Sequence, residues 1–202
     1  MSSKIIIGID QSYRCTGVAL SYNGSLKSCT SIKTEHLKNN SEKRKELYAG
    51  LSAIFEKAAF LRDKYKCPVE IVIERIRLKS QGFLNIDYIK GIGALNALIA
   101  DLAYEHGFPI YSVDTRAWKS AVVGTSKPKP NSYGFDPRKW PTILWCIGRG
   151  YEALISEHVS NKKEKGVVIK DGERLTYNDN TADAICISLY GFTPSPKLKE
   201  EH

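Results

Sequence analysis

The dipeptide Asn23-Gly24 stands between two β-branched runs, Thr16 to Tyr22 and Leu26 to Ile32. Both residues tolerate the positive φ of a two-residue hairpin turn, so the flanking runs must pair antiparallel. A further run from Lys4 to Asp10 precedes them, and the chain therefore opens as a three-strand meander. The next segment, Ser41 to Tyr65, changes period: Leu47, Leu51, Ile54, Phe55, Ala58 and Leu61 recur at helical spacing, with Lys and Glu opposite. Ser41 reads as the N-cap and Pro68 closes the connection. Val69 to Glu74 is apolar enough for a central strand. Ile86 to His106 reads as a second helix with Ile92, Leu95, Ile99 and Leu102 on one side. Gly91 and Gly93 weaken that helix and point to close approach by a neighbouring element or a partner subunit.

Pro109 to Val113 gives a fifth strand and Thr115 to Val122 a short helix. Residues 124–137 form a basic loop, rich in Gly, Ser, Pro, Lys and Asn. Helical pattern resumes over Arg138 to Ile155, and Val167 to Tyr177 reads as a hairpin turning at Asp171-Gly172. A last helix spans Asn180 to Tyr190 and stops at Gly191. The pattern predicts an α/β fold: a five-stranded mixed sheet, made of the meander plus parallel strands joined by right-handed crossovers, flanked by helices. With 202 residues, the expectation is one domain over 1–192 and a frayed tail over 193–202, with 138–177 as an added helix and hairpin segment.

Thirty Lys and Arg against 22 Asp and Glu leave a net charge of +8, which biases the partners towards polyanions. The five cysteines include no Cys-x-x-Cys pair, which argues against a zinc site or disulfide framework and suits a reducing cytosol. No stretch reaches the roughly 18–20 apolar residues of a membrane span. Ile5-Ile6-Ile7 ends at once in Gly8 and Asp10, unlike a signal peptide, so a cytoplasmic location is expected.

Three acids sit where β propensity or packing does not ask for them. Asp10 closes the first strand, and Gly8 before it leaves room for something close to the backbone. Glu74 ends the fourth strand, predicted to lie beside the first, although an ion pair with Arg75 or Arg77 also explains it. Asp183 follows Asn178, Asp179 and Asn180 at the opening of the last helix, where the helix end offsets carboxylate charge. Neighbouring carboxylates need a cation or a shared proton. Oxygen-only ligands suit Mg²⁺ or Mn²⁺, and a pair of such ions serves phosphodiester hydrolysis.

In this order, Ile5 to Asp10, Thr16-Gly17-Val18-Ala19, Val72-Ile73-Glu74 and Ala182-Asp183-Ala184 resemble the RuvC-type Holliday-junction resolvases of the RNase H-like superfamily. Ile89 to Ala94 resembles the family's glycine-containing dimer helix, and Ser112 to Gly124 its lysine-bearing segment before a basic loop. The resemblance implies an RNase H-like fold and a homodimeric endonuclease with two Mg²⁺ per site, Mn²⁺ substituting, that nicks four-way DNA junctions. Asp10, Glu74 and Asp183 would then be metal ligands, and Lys119 and Lys127 match lysines near the scissile phosphate. Asn180 stands where many members carry a fourth acid or a His; Asp179 matches an acid of viral-type members and is the expected fourth ligand, with Asn180 the alternate. The family's aromatic wedge position holds Arg77, leaving Phe83 or Tyr88 as substitutes.

Arg75, Arg77 and Lys79 alternate beyond Glu74 and are expected to seat DNA together with Lys119, Lys127 and Lys129. Arg138 and Lys139 lie near Tyr133, Phe135 and Trp140; these rings either stack on bases or fill the core, and the core reading leads for Trp140 and Trp145. Competing functions are another RNase H-like nuclease acting on RNA–DNA hybrid or other branched DNA, an actin-like ATPase suggested by Gly8-Ile9-Asp10, and an inactive junction-binding module.

Overall fold

The computed structural model describes residues 3–76, 86–159, 166–194 and 196–201. The meander forms as expected: β1 (Ile5–Asp10), β2 (Cys15–Tyr22) and β3 (Ser25–Lys33) are successive antiparallel neighbours. Asn23 and Gly24 take φ of 48° and 75° between β2 and β3. Helix α1 (Asn40–Tyr65) is capped by Asn39, whose side chain accepts from the Glu42 amide, rather than by Ser41. β4 (Val69–Glu74) then runs parallel beside β1, α2 (Ile86–His106) crosses over, and β5 (Ile110–Val113) runs parallel beside β4.

Past β5 come α3 (Thr115–Trp118), which continues as one π-helical turn over Lys119–Val123, α4 (Trp140–Gly148) and α5 (Glu152–Ile155). β6 (Ser156–His158), β7 (Val168–Lys170) and β8 (Glu173–Tyr177) make a small second sheet in the order β6-β8-β7. The β7–β8 hairpin turns at Asp171-Gly172 as read from the sequence, whereas the short β6 had no periodic signal. Helix α6 (Asp179–Tyr190) is followed by β9 (Lys199–Glu201).

The main sheet therefore has six strands, ordered β3-β2-β1-β4-β5-β9, not five. The extra one lies in the tail expected to fray. β9 pairs antiparallel with the exposed edge of β5, and Ser112 Oγ donates to Glu201. Backbone pairing needs no apolar side chains, so a charged Lys-Glu-Glu strand left no hydrophobic trace.

The sheet separates two cores. On one face α1 and α2 cover Ile5, Ile7, Ile9, Val18 and Ile71 with Leu51, Phe55, Leu95 and Ile99. On the other, α6 with α3, α4 and the small sheet covers Ile6, Ala19, Val72 and Val113. Trp140 is buried in this second core, its ring stacked on Phe135 at 5.0 Å, so the core reading of that tryptophan holds. No helix among the described residues is long and apolar enough to cross a membrane.

Candidate active site

Parallel pairing of β1 with β4 brings Asp10 and Glu74 out at adjacent strand ends. The third acid comes from α6, and two glycines determine how closely that helix approaches. A Cβ on Gly8 would overlap the Ala184 carbonyl and the Ser188 amide nitrogen; one on Gly17 would overlap the Asn180 carbonyl. The backbone of α6 thus rests directly on β1 and β2, which places Asp183 beside Asp10. The gap expected at Gly8 is filled by this helix.

Asp10, Glu74 and Asp183 line one cavity of about 490 Å³, together with Ser12, Lys119 and Asn180. Tyr88, Thr115, Arg138 and Lys139 complete its wall. Among the described residues no three His, Cys, Asp or Glu side chains are drawn into a closed metal-binding cluster. The acids share a cavity, and each is held differently.

Glu74 is fully engaged. Its Oε1 accepts from the Thr115 hydroxyl at 2.5 Å and its Oε2 from the Trp118 indole N–H at 3.2 Å. Thr115 and Trp118 open and close the single turn of α3, and Trp118 is completely buried. Among the described residues Glu74 makes no ion pair with Arg75, which instead donates to Ser112 Oγ at 3.4 Å on the β5 side.

Asp183 is 7% exposed, and its Oδ1, like the Thr142 hydroxyl that acts on it, is buried without a well-formed hydrogen bond. Lys119, equally buried, holds its Nζ 4.0 Å from Asp183 Oδ2, 3.2 Å from the Arg138 carbonyl and over the Trp118 ring. Burial pushes the Asp183 carboxyl up to about 6; the charge of Glu74 adds to this and that of Lys119 opposes it. Asp10 is raised well above the usual carboxylate range by burial and by the charges of Asp183 and Glu74, against Lys139 and Lys119.

This donor set fits a hard divalent cation. It consists of carboxylate oxygens in one cavity, where burial first and the neighbouring acids second raise both Asp10 and Asp183.

Asp179, the expected fourth acid, does not line the cavity; its carboxylate pairs with Lys139. Asn180 lines the cavity instead. Asn180 and Asp183 are three residues apart, close to one helical turn, and both face the strand ends. Lys127 and Lys129 are exposed on the loop and do not reach the cavity, whereas Arg138 and Lys139 do. Arg77, Lys79 and Phe83 lie outside the described residues. Tyr88 stands at the cavity wall and is 53% exposed.

Sequence reasoning missed Thr115, Trp118 and Lys139 as site residues. The spacing Thr115-x-x-Trp118-Lys119 places all three on one turn, but its meaning depends on β5 ending beside β4. Lys139 reads only as one of a basic group with Lys127, Lys129 and Arg138, and nothing local shows that it returns to the site after a long loop.

A mixed sheet with a leading antiparallel meander, acids at the ends of its central strands and a third acid on the helix packed across them defines an RNase H-like fold. No protein-family model matches the chain, and no curated protein matches it in sequence. Among solved structures, Thermus thermophilus RuvC is similar over 93% of this chain and 93% of its own, with a TM-score of 0.55 and 17% identity. The same protein in complex with a Holliday junction substrate matches over 94% and 93%, with a TM-score of 0.55 and 15% identity. The yeast mitochondrial Holliday junction resolvase aligns over 93% of this chain and 76% of its own, with a TM-score of 0.45 and 15% identity. The chain therefore shares its fold with RuvC.

Proposed function

We propose that this protein is a metal-dependent endonuclease that resolves four-way DNA junctions. The observation that carries the reading is the convergence of Asp10, Glu74 and Asp183 with the buried Lys119 in one cavity of a RuvC-like fold. Asp10, Glu74 and Asp183, with Asn180 rather than Asp179 beside them, would hold two Mg²⁺ ions, Mn²⁺ substituting. Such ions, when bound, neutralise the acids and lower the pKa of an attacking water.

The remaining work belongs to the chain. Thr115 and Trp118 fix the Glu74 carboxylate by both oxygens, so it need not reorganise on binding. Lys119 lies at the cavity wall, placed to meet the negative charge that would build on the phosphoryl oxygens as water attacks phosphorus. Arg138 and Lys139 add cations for the entering strand, and the net charge of +8 favours DNA over the whole surface.

A second copy of the chain completes the proposed enzyme, since two coordinated nicks need two sites. Along the last turns of α2, Gly93, Ala97, Ala100 and Tyr104 form an exposed stripe of helical period that starts beyond Lys90, with Tyr104 89% accessible. This stripe supports packing against its equal in a homodimer. Gly91 has another role: it is buried against the Tyr13 ring.

The test is cleavage of a synthetic four-way junction in Mg²⁺ and in EDTA, beside an RNA–DNA hybrid and a linear duplex. Paired nicks in the junction alone, lost in EDTA, are expected. Asp10→Asn should bind the junction and leave it uncut. Normal cutting by that variant, or preference for the hybrid, would overturn the reading.

A further inference from the structure

The carboxylate cavity shares its wall with a second hollow. Ser12 faces the first and its neighbour Tyr13 the second; on α2, Tyr88 faces the first while Asp87 and Lys90 face the second. The second hollow measures about 530 Å³ and lies between the N-terminal turns of α1 and α2, with Asn40, Lys43 and Arg44 on its α1 side.

Its charge is unbalanced, with three cations facing the single carboxylate of Asp87. Lys43, Arg44 and Lys90 make no ion pair among the described residues. Lys4, Lys33, Lys139 and Lys170 each have a carboxylate partner. Unpaired cations gathered in a concave surface create a local positive potential. The N-terminus of the 26-residue α1, opening at Asn40, adds to it.

The floor is built rather than incidental. Tyr13 packs on Gly91, where an added Cβ would come within 2.8 Å of the ring, and its carbonyl accepts from Thr34 Oγ1 at 2.5 Å. Lys43 Nζ lies 5.8 Å from the centre of the Tyr13 ring. An aromatic face held in place beneath a cation suits a sugar–phosphate chain, which offers charge to one and an apolar edge to the other.

We propose that this hollow holds the phosphodiester backbone of the DNA arm that leaves the catalytic cavity on the α1/α2 side, with Lys43, Arg44 and Lys90 contacting consecutive phosphates across Tyr13. The proposal rests on the nuclease reading above and extends it from the reacting phosphate to the path of the DNA.

The experiment compares junction binding by the wild-type protein and the triple variant Lys43→Ala/Arg44→Ala/Lys90→Ala, by fluorescence anisotropy from about 50 to 200 mM salt in EDTA. Each phosphate contact contributes about 0.9 to the slope of log K against log salt. The triple variant is expected to lose roughly 2–3 from that slope and about tenfold or more in affinity at 100 mM. The control Lys27→Ala/Lys64→Ala/Lys66→Ala, which removes exposed cations outside the hollow, should keep most of the wild-type slope. The single variant Lys90→Glu serves if the triple variant is unstable, and should weaken binding by itself. A slope and affinity equal to wild type in the alanine and Glu variants would overturn the groove and leave the nuclease reading standing. A wild-type protein that binds no junction would overturn both.

Discussion

The two walls of the carboxylate cavity are built on opposite principles. On the Glu74 wall, both carboxylate oxygens meet donors from one turn of helix, and the assembly is pinned by a fully buried Trp118. On the α6 wall, Asp183 is driven against the sheet through two glycines, its Oδ1 buried without a well-formed hydrogen bond and its Oδ2 4.0 Å from Lys119 Nζ. The first wall is satisfied by the protein alone. The second is left incomplete, and Asn178 secures it from outside: its side chain caps α6 through Thr181 and donates to Glu157 of the small sheet, which in turn pairs with Lys33 of β3. The 138–177 segment thus braces the helix that carries Asp183. One carboxylate is thus fixed by two donors, and the other is held by backbone packing beside a lysine.

The strongest blow to this contrast is a methyl group under α6. Gly17→Ala should displace the helix, lowering stability by roughly 3 kcal/mol as an overpacked core does. For a chain of this size that is about 10 °C in melting temperature. A melting temperature within 2 °C of wild type would show that α6 is not seated as described.

Next in size is the charge held by Asp183. Its carboxyl titrates near 3.8 when unfolded and about 6 when folded. The folded state therefore binds the proton more tightly, and the stability this contributes is present below pH 3.8 and is lost as pH rises through about 6. Metal-free protein should melt progressively lower between pH 4 and pH 7, and Asp183→Asn should flatten that decline and melt several degrees higher at pH 7. An equal decline in the variant would move the burden to Asp10.

The smallest effect is expected on the satisfied wall. Trp118→Phe removes one donor to Glu74 and leaves Thr115 in place. It should raise the Mg²⁺ concentration at which the melting temperature shifts by about tenfold, as lost outer partners of ligands do. No change in that midpoint would mean that Thr115 orients Glu74 alone.

Much of this was legible in the chain because it is encoded locally. Asn23-Gly24 and Asp171-Gly172 specify turns through their own φ, and the apolar strands ending in Asp10 and Glu74 specify where two acids emerge. The choice between Asp179 and Asn180 was not legible. Both lie within one turn of Asp183, and the outcome depends on Lys139, which arrives from 40 residues upstream to take Asp179. Gly91 carried a true signal of close approach, but its partner, Tyr13, lies in a distant loop. Trp118 reads as an ordinary core residue until β4 and β5 are known to be neighbours.

The short β9 has a consequence for how the protein behaves in company. Without it, β5 would present a bare row of amides and carbonyls to any passing strand, the usual route to intermolecular sheet growth. Lys199, Glu200 and Glu201 close that edge with a strand whose charged side chains discourage another from adding. Copies of the chain can therefore meet along this side without growing a shared sheet.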